Sequence, residues 1–436
     1  MKYDIAIIGG GPAGYTAAVV AGMNGARTVL FEKEHLGGIC LNYGCVPTKA
    51  ILKSASTYRR IMTADVMGIK SENVEFDLDV VTGRARNVIA KLNKGIEYML
   101  TKSDVRVVTA AAEIVSPHSI AAGDEMFDCS SIIIATGAVP RKIPNVQTDG
   151  KKIVTYKDAL FLESVPESMV IVGSGAIGME FAEIYSSFGS KITVIEKENR
   201  ILPSEEKDVS DLMRRILVKR GYQILVNAVI KSAVIKKDKV VVRLNDGQDL
   251  VCDKVLVATG IIGNIENIGL EKIGVATANG HIITDRDFTT NVKNIYAVGD
   301  VADHPPYVAH KAMHDAKNCV KMLLGKEYLP VDAGFTPSCI YTSPQIASFG
   351  VKNGKAGKRF LMSNAKALCD GEPDGFIKTY VDDYGNVVGA SLIGEDVAEI
   401  IGGCLAMAAK NVSEIIMPHP SLSESVTALL EDVISL

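Results

Sequence analysis

The feature that most constrains this chain is a strand–turn–helix–strand unit that occurs twice. Asp4-Ile5-Ala6-Ile7-Ile8 is a short apolar run with β-branched character, as expected of a strand buried in a parallel sheet. Gly9-Gly10-Gly11-Pro12-Ala13-Gly14 follows at once, a helical alanine-rich stretch runs from Tyr15 to about Asn24, and Thr28-Val29-Leu30-Phe31 ends in Glu32. Met169-Val170-Ile171-Val172, Gly173-Ser174-Gly175-Ala176-Ile177-Gly178, a helix to about Phe188 and Lys191 to Ile195 ending in Glu196 repeat the order with the same glycine-to-acid spacing. A G-x-G-x-x-G turn between strand and helix, with an acid about twenty residues on, suits a dinucleotide. Gly9, Gly11 and Gly14, like Gly173, Gly175 and Gly178, let backbone approach a pyrophosphate, and the helix N-terminus offers it unpaired N–H groups. Glu32 and Glu196 would accept hydrogen bonds from ribose hydroxyls. Two such units imply two dinucleotides or one large duplication. A carboxylate at 196 repels a 2′-phosphate and so selects NAD over NADP, with Lys197 and Arg200 close behind it pulling the other way.

Smaller pieces repeat as well. Ile132-Ile133-Ile134-Ala135-Thr136-Gly137 and Val255-Leu256-Val257-Ala258-Thr259-Gly260 both read as a buried strand ending in a small-residue turn. A third strand, Ile295 to Val298, ends in Gly299-Asp300. An aspartate at the carboxyl end of such a strand points into the ligand crevice of an open sheet, or else caps the next helix.

Length and charge bound the remainder. With 436 residues, about three domains are expected. Hydrophobic content of 47% supplies large cores, while a net charge of -4 without a long basic run points away from nucleic acid and anionic membranes. No apolar run reaches the length of a membrane span. The N-terminus leads straight into a strand without a signal-peptide pattern, so a cytoplasmic location is expected. Among eight cysteines in a reducing compartment, any disulfide is catalytic or redox-sensing rather than structural.

One stretch fits that description: Gly37-Gly38-Ile39-Cys40-Leu41-Asn42-Tyr43-Gly44-Cys45-Val46-Pro47-Thr48-Lys49. Across five residues of ideal helix the two cysteine Cα atoms would stand roughly 8–9 Å apart, whereas a disulfide needs less than about 7 Å. A bridge would therefore require a loop or a deformed first helical turn, which Gly38 and Gly44 permit, and it would be labile. Two ordinary thiols in a turn are the alternative.

Beyond residue 332 the texture changes. Phe376 to Asp382 and Val387 to Ile393 read as strands joined around Asp383-Tyr384-Gly385-Asn386, followed by a helix from about Asp396 to Ala409 and a terminal helix, together a separate α+β domain. His419 sits between two prolines on a stiff, extended segment, and Glu424, in the first turn of the last helix, is within reach of its imidazole. A surface histidine is the alternative.

In this order these pieces, with Ala297-Val298-Gly299-Asp300, Ala309-His310-Lys311-Ala312 and His419-Pro420-Ser421-Leu422-Ser423-Glu424, resemble the pyridine nucleotide–disulfide oxidoreductase family over essentially the whole chain. The resemblance implies an α/β protein with two dinucleotide-binding (Rossmann-like) domains and a C-terminal α+β dimerisation domain. It implies FAD in residues 1–145, NAD in 146–268, a return to the FAD domain over 269–331, and an interface domain over 332–436. Asp300 would contact the ribityl chain, Lys49 would lie by the flavin N5 and Glu180 by the nicotinamide, with Gly137, Gly260, Ala309 and His310 among the cofactor-binding residues. Cys40 and Cys45 would form the redox disulfide, with His419 and Glu424 as base and orienter acting on the disulfide of the other subunit of a homodimer. The similarity is strongest to members that oxidise dihydrolipoyl groups with NAD+, whose partners are lipoylated acyltransferases or the glycine-cleavage carrier protein. No metal is expected. An NADPH-dependent glutathione reductase is the alternative activity, and a flavoprotein retained as a non-enzymatic subunit of a complex is the alternative role. Three departures from the family stand out: Ser421 where threonine is usual, a shortened stretch over 351–366, and His314 where an acid is commoner.

Overall fold

The computed structural model describes residues 2–330, 333–409, 415–421 and 425. Its first sheet has the spatial order Arg106–Val108, Thr28–Phe31, Lys2–Ile8, Glu125–Ile134, Ser119–Ala122, Ala112–Ser116, and Ile295–Ala297 joins Glu125–Ile134 from far along the chain. Ile5 to Ile8 pair in parallel with Thr28 to Phe31 on one side and Ser131 to Ile134 on the other. Both faces of these strands are covered, which is why they read as unbroken apolar runs rather than alternating ones. The first helix begins at Pro12, earlier than the alanine run suggests. Proline suits the first helical position, where its missing N–H is one of the groups left unpaired anyway.

The second unit repeats the plan. Its sheet runs Gln223–Leu225, Lys191–Ile195, Ser168–Val172, Lys254–Val257, Ile153–Val154, all parallel. The helix Ala176–Ser187 follows the second glycine turn. An antiparallel sheet of Ile230–Lys236, Lys239–Leu244 and Asp249–Cys252 packs against this sheet through Val240 and Val242. Ala138–Pro140 pairs with Ile261–Gly263, so the two small-residue turns are tied together where the units meet.

The C-terminal domain is a five-stranded antiparallel sheet ordered Ser338–Ile340, Gln345–Gly350, Val387–Gly394, Phe376–Val381, Lys355–Phe360. The helix Val397–Ala408 covers one face against Ala347, Phe349 and Leu392. The expected hairpin forms, and the Asp382 carboxylate accepts from the Tyr384 and Asn386 N–H groups at 2.9 and 2.8 Å to hold its turn. Of the terminal helix expected around Glu424, only residue 425 is among the described residues, and it is helical.

The helix Leu78–Lys102 has no counterpart among the expectations. It is capped by Asp77, whose side chain accepts from the Asp79 and Val80 N–H groups, and it packs on the helix Cys45–Met62. That cysteine helix packs where the domains meet. One hydrophobic cluster joins its Ile51 to Ile184 of the second unit and to Ile340 and Phe376 of the C-terminal sheet. Among the described residues no helix is long and apolar enough to cross a membrane.

Candidate active site

The cysteine stretch folds as two helices, Gly38–Tyr43 and Cys45–Met62, broken at Gly44. Gly44 takes φ −131° and ψ −116°, and a Cβ there would press on Ile39 O at 3.0 Å and Cys40 Cα at 3.2 Å. The deformed turn required of a vicinal redox pair is thus present, and it brings the two sulfurs into hydrogen-bonding contact as thiols.

Their environments differ. The hydrogen bond with Cys45, reinforced by burial, pushes the Cys40 thiol well above its ordinary range. The same hydrogen bond, helped by the Lys49 ammonium and the charge of His419, lowers Cys45 to about 7 against burial and the opposing Glu180. Of the pair, Cys45 is therefore the one that ionises first. Lys49 stays protonated: burial works against its charge, but Glu180 and Cys45 more than compensate.

Lys49 is held from the second unit. Its Nζ stands 2.9 Å from each oxygen of Glu180, on the helix Ala176–Ser187. It also lies 4.6 Å above the Tyr341 ring. Tyr341 N–H donates to Glu180 Oε1 at 3.0 Å, and its hydroxyl donates to Pro420 O at 2.8 Å. Tyr341 escaped the sequence reading, since it sits in a stretch without a motif and earns its place only through the fold.

His419 N–H donates to His310 Nδ1 at 3.2 Å. That leaves His310 Nε2–H to donate to Pro337 O at 2.7 Å, which assigns the His310 tautomer from its partners. His310 thus fastens the 415–421 segment instead of standing free, and Ala309 starts the helix Ala309–Leu323 that carries it. The expectation that His419 serves the other subunit meets a chain in which it stands near its own Cys45. Glu424 lies outside the described residues. His314 is engaged by Asn318 at 2.8 Å, in keeping with a structural rather than catalytic histidine.

Both glycine turns have the shape a pyrophosphate needs. A Cβ on Gly14 would fall 1.7 Å from Gly9 O and one on Gly178 2.1 Å from Gly173 O, so strand and helix close only on glycine. By contrast Gly175 faces open space and Gly11 meets only Gly38 Cα at 3.8 Å, so each cap leaves room for a ligand. Glu32 accepts from Gly10 N–H at 2.7 Å, and Glu196 accepts from Ser174 N–H and Oγ at 3.0 and 2.6 Å. Each carboxylate is thereby anchored at the lip of its turn. Gly137 and Gly260, both at positive φ, close the strands that flank the two turns. Asp300 lies in a short turn, Gly299–Val301, and does not cap the next helix. Burial raises its carboxyl to about 6, with Lys311 pulling it down and Asp315 pushing it up. Lys311 and Asp315 are themselves a buried ion pair. A half-buried carboxyl at the end of a sheet strand, without a side-chain hydrogen bond of its own among the described contacts, suits a polyol such as a ribityl chain. The residues present therefore fit a dinucleotide at each unit. Among the described residues no cluster of His, Cys, Asp or Glu side chains is arranged to hold a metal.

Comparison with known proteins agrees with this geometry. Residues 3–316 match the family model described as pyridine nucleotide-disulphide oxidoreductase. Residues 336–430 match the family's dimerisation domain, marking the C-terminal domain as the part that pairs two chains. A dihydrolipoyl dehydrogenase of Rhizobium etli is 37% identical, with 99% of this chain and 98% of that one aligned. One of Bacillus subtilis is 36% identical over 98% of this chain and 96% of its own. Among solved structures, LpdA of Mycobacterium tuberculosis superposes with a TM-score of 0.87 at 26% identity, covering 99% of both chains. The HOCl-induced flavoprotein disulfide reductase RclA of Escherichia coli gives 0.83 at 26% identity, covering 98% of this chain and 99% of that one. The chain belongs to the pyridine nucleotide–disulfide oxidoreductases.

Proposed function

We propose that the protein is an FAD-dependent dihydrolipoyl dehydrogenase that passes electrons from a dihydrolipoyl dithiol through Cys40 and Cys45 to NAD+. The observation that carries this reading is the helix broken at Gly44, which sets Cys40 beside Cys45, with Lys49 one turn on in the same helix and held by Glu180. In the oxidised pair, a substrate thiolate attacks Cys40 Sγ, forming a substrate–Cys40 disulfide and releasing Cys45 as the thiolate. The second substrate thiol gives its proton to His419 and attacks the substrate sulfur, closing the lipoyl disulfide. Cys40 leaves and takes up the proton from His419. Glu424 is proposed to orient His419. Lys49, fixed by Glu180, would hold the negative charge at Cys45 Sγ. The flavin supplies, when bound, acceptance of the electron pair on that side and its delivery to the nicotinamide on the other.

NAD is favoured over NADP by Glu196, and Arg200 does not stand free to take a 2′-phosphate: its Nη2 donates to Pro203 O at 2.8 Å and to Glu205 O at 3.2 Å. Because a dimer can exchange identical segments without losing their contacts, His419 is proposed to act across the subunit boundary, each 415–421 segment meeting its partner's His310 and Cys45. A lipoylated acyltransferase or glycine-cleavage carrier is the proposed electron source. The test is NAD+ reduction by dihydrolipoamide with the purified flavoprotein, beside a control of NADPH with oxidised glutathione. Rapid NADH formation with a silent control supports the reading. Inactivity toward dihydrolipoamide in protein that retains FAD overturns it.

A further inference from the structure

The shortened 351–366 stretch carries Lys352 and Lys358, and the neighbouring strand Phe376–Val381 carries Lys378. All three reach out of the C-terminal domain to an acidic run that opens the helix Lys207–Lys219 of the second nucleotide-binding unit. Lys378 Nζ stands 2.7 Å from Glu206 Oε1 and 3.5 Å from Asp208 Oδ2. Lys358 Nζ is 2.9 Å from the same Asp208 oxygen and 4.0 Å above the Phe376 ring. Lys352 Nζ is 3.4 Å from Glu205 Oε2, and the Tyr380 hydroxyl donates to Glu206. Glu206 is the N-cap and Asp208 lies in the first turn, where the helix N-terminus favours negative charge. The Glu205 and Glu206 side chains are only 4% and 13% exposed, so solvent screens these pairs less than it would surface ones.

From this cluster a line of hydrogen bonds runs inward. Glu205 N–H donates to Leu202 O at 2.9 Å, and Leu202 N–H donates to Ser174 Oγ at 3.1 Å. Ser174 Oγ–H in turn donates to Glu196 Oε2 at 2.6 Å. Ser174 is the second residue of the second glycine turn, and Glu196 is the acid that ends the following strand. Lys352 therefore connects through Glu205, bond by bond, to the corner where the dinucleotide's ribose is to be held, and Lys358 and Lys378 brace the same loop at the adjoining Glu206 and Asp208.

We propose that Lys352, Lys358 and Lys378 are positioning residues for the second nucleotide site, holding the 202–208 loop and through it Ser174 and Glu196 in the geometry that binds the dinucleotide. The inference rests on the assignment of that site to NAD. It gives the C-terminal domain control over nicotinamide binding that is separate from the thiol chemistry, because the cluster lies on the second unit's loop while Lys49 is held through Glu180 and Tyr341.

The two half-reactions separate these effects. In anaerobic stopped flow, dihydrolipoamide reduces the bound flavin first, and NAD+ at varied concentration then reoxidises it. For Lys378→Met the first phase stays within about twofold of wild type, while the NAD+ concentration giving half-maximal reoxidation rises roughly 3- to 10-fold. Lys378→Arg restores most of the affinity, since the charge returns. Added salt weakens NAD+ binding in the wild type and has a smaller effect in Lys378→Met. Lys352→Met and Lys358→Met, at more exposed positions, repeat the effect at smaller size should Lys378→Met fold poorly. Unchanged NAD+ affinity, or equal slowing of both phases, overturns the inference and reduces the cluster to domain packing. Wild-type flavin that dihydrolipoamide reduces but NAD+ does not reoxidise overturns the cofactor assignment, and the inference falls with it.

Discussion

Lys49 Nζ lies equidistant, at 2.9 Å, from the two carboxylate oxygens of Glu180, so one ion pair ties the helix that begins with Cys45 to the helix that follows the second glycine turn. It joins the thiol pair to the proposed nicotinamide side of the site. Lys49 favours the Cys45 thiolate and Glu180 opposes it. Lys49→Met is therefore expected to raise the Cys45 titration above its value of about 7, and Glu180→Gln to lower it. The pH dependence of alkylation of the reduced enzyme reads both: the midpoint moves up in one variant and down in the other. Midpoints that stay together would remove Lys49 from the thiolate's environment.

Asp300, proposed to meet the flavin's ribityl chain, also bears on stability. Its carboxyl is raised from 3.8 to about 6, so the folded apoprotein holds a proton that the unfolded chain has released. Between those values the folded state binds more protons, and stability falls as pH rises. Asp300→Asn should flatten the change in urea midpoint of the apoprotein between pH 4.5 and 7, and should weaken flavin retention by the holoenzyme. An unaltered pH slope would show that Asp300 is not the group responsible.

The glycine turns make a prediction that separates the two nucleotide sites. In Gly178→Ala the new methyl would sit 2.1 Å from Gly173 O, and that oxygen belongs to backbone that cannot swing aside. Overpacking of this kind costs about 1–3 kcal/mol and distorts the turn. Dihydrolipoamide should still reduce the flavin in this variant, and ferricyanide should still reoxidise it, while NAD+ fails as acceptor. Retained NADH formation would place the nicotinamide elsewhere.

What the sequence disclosed and what it withheld divide along physical lines. The two glycine turns, their acids and the parallel strands are local patterns, and each recurs where the spacing puts it. The broken helix at Gly44 was legible as one of two ways, with a loop, in which a Cys40–Cys45 bridge could close. Tyr341 was not, because a tyrosine between strands carries no periodic signal and its link to Glu180 spans the two domains. The helix Leu78–Lys102 was missed for a related reason: only 4 of its 25 residues are buried, so its apolar stripe is thin. The stretch 351–366 read as a departure without a purpose. Its lysines acquire one only when the fold sets them against Glu205 and Asp208.

The origin of the base can be decided with mixed dimers. The 415–421 segment is fastened by main-chain contacts, His419 N–H to His310 and Pro420 O from Tyr341, which are as available to a partner's segment as to the chain's own. His419→Gln alone should lower turnover about 10²- to 10⁴-fold, as loss of a general base does. Cys40→Ser alone should abolish it. Heterodimers purified from co-expression of Cys40→Ser and His419→Gln subunits contain one intact cysteine pair, in the subunit that lacks the histidine. If the partner supplies the base, that pair meets an intact His419 and the heterodimer recovers about half of wild-type turnover, one complete site of two. A base supplied within the subunit leaves both sites incomplete and the heterodimer at background. The expected outcome is recovery, and a silent heterodimer with full flavin content would assign His419 to the Cys45 of its own chain.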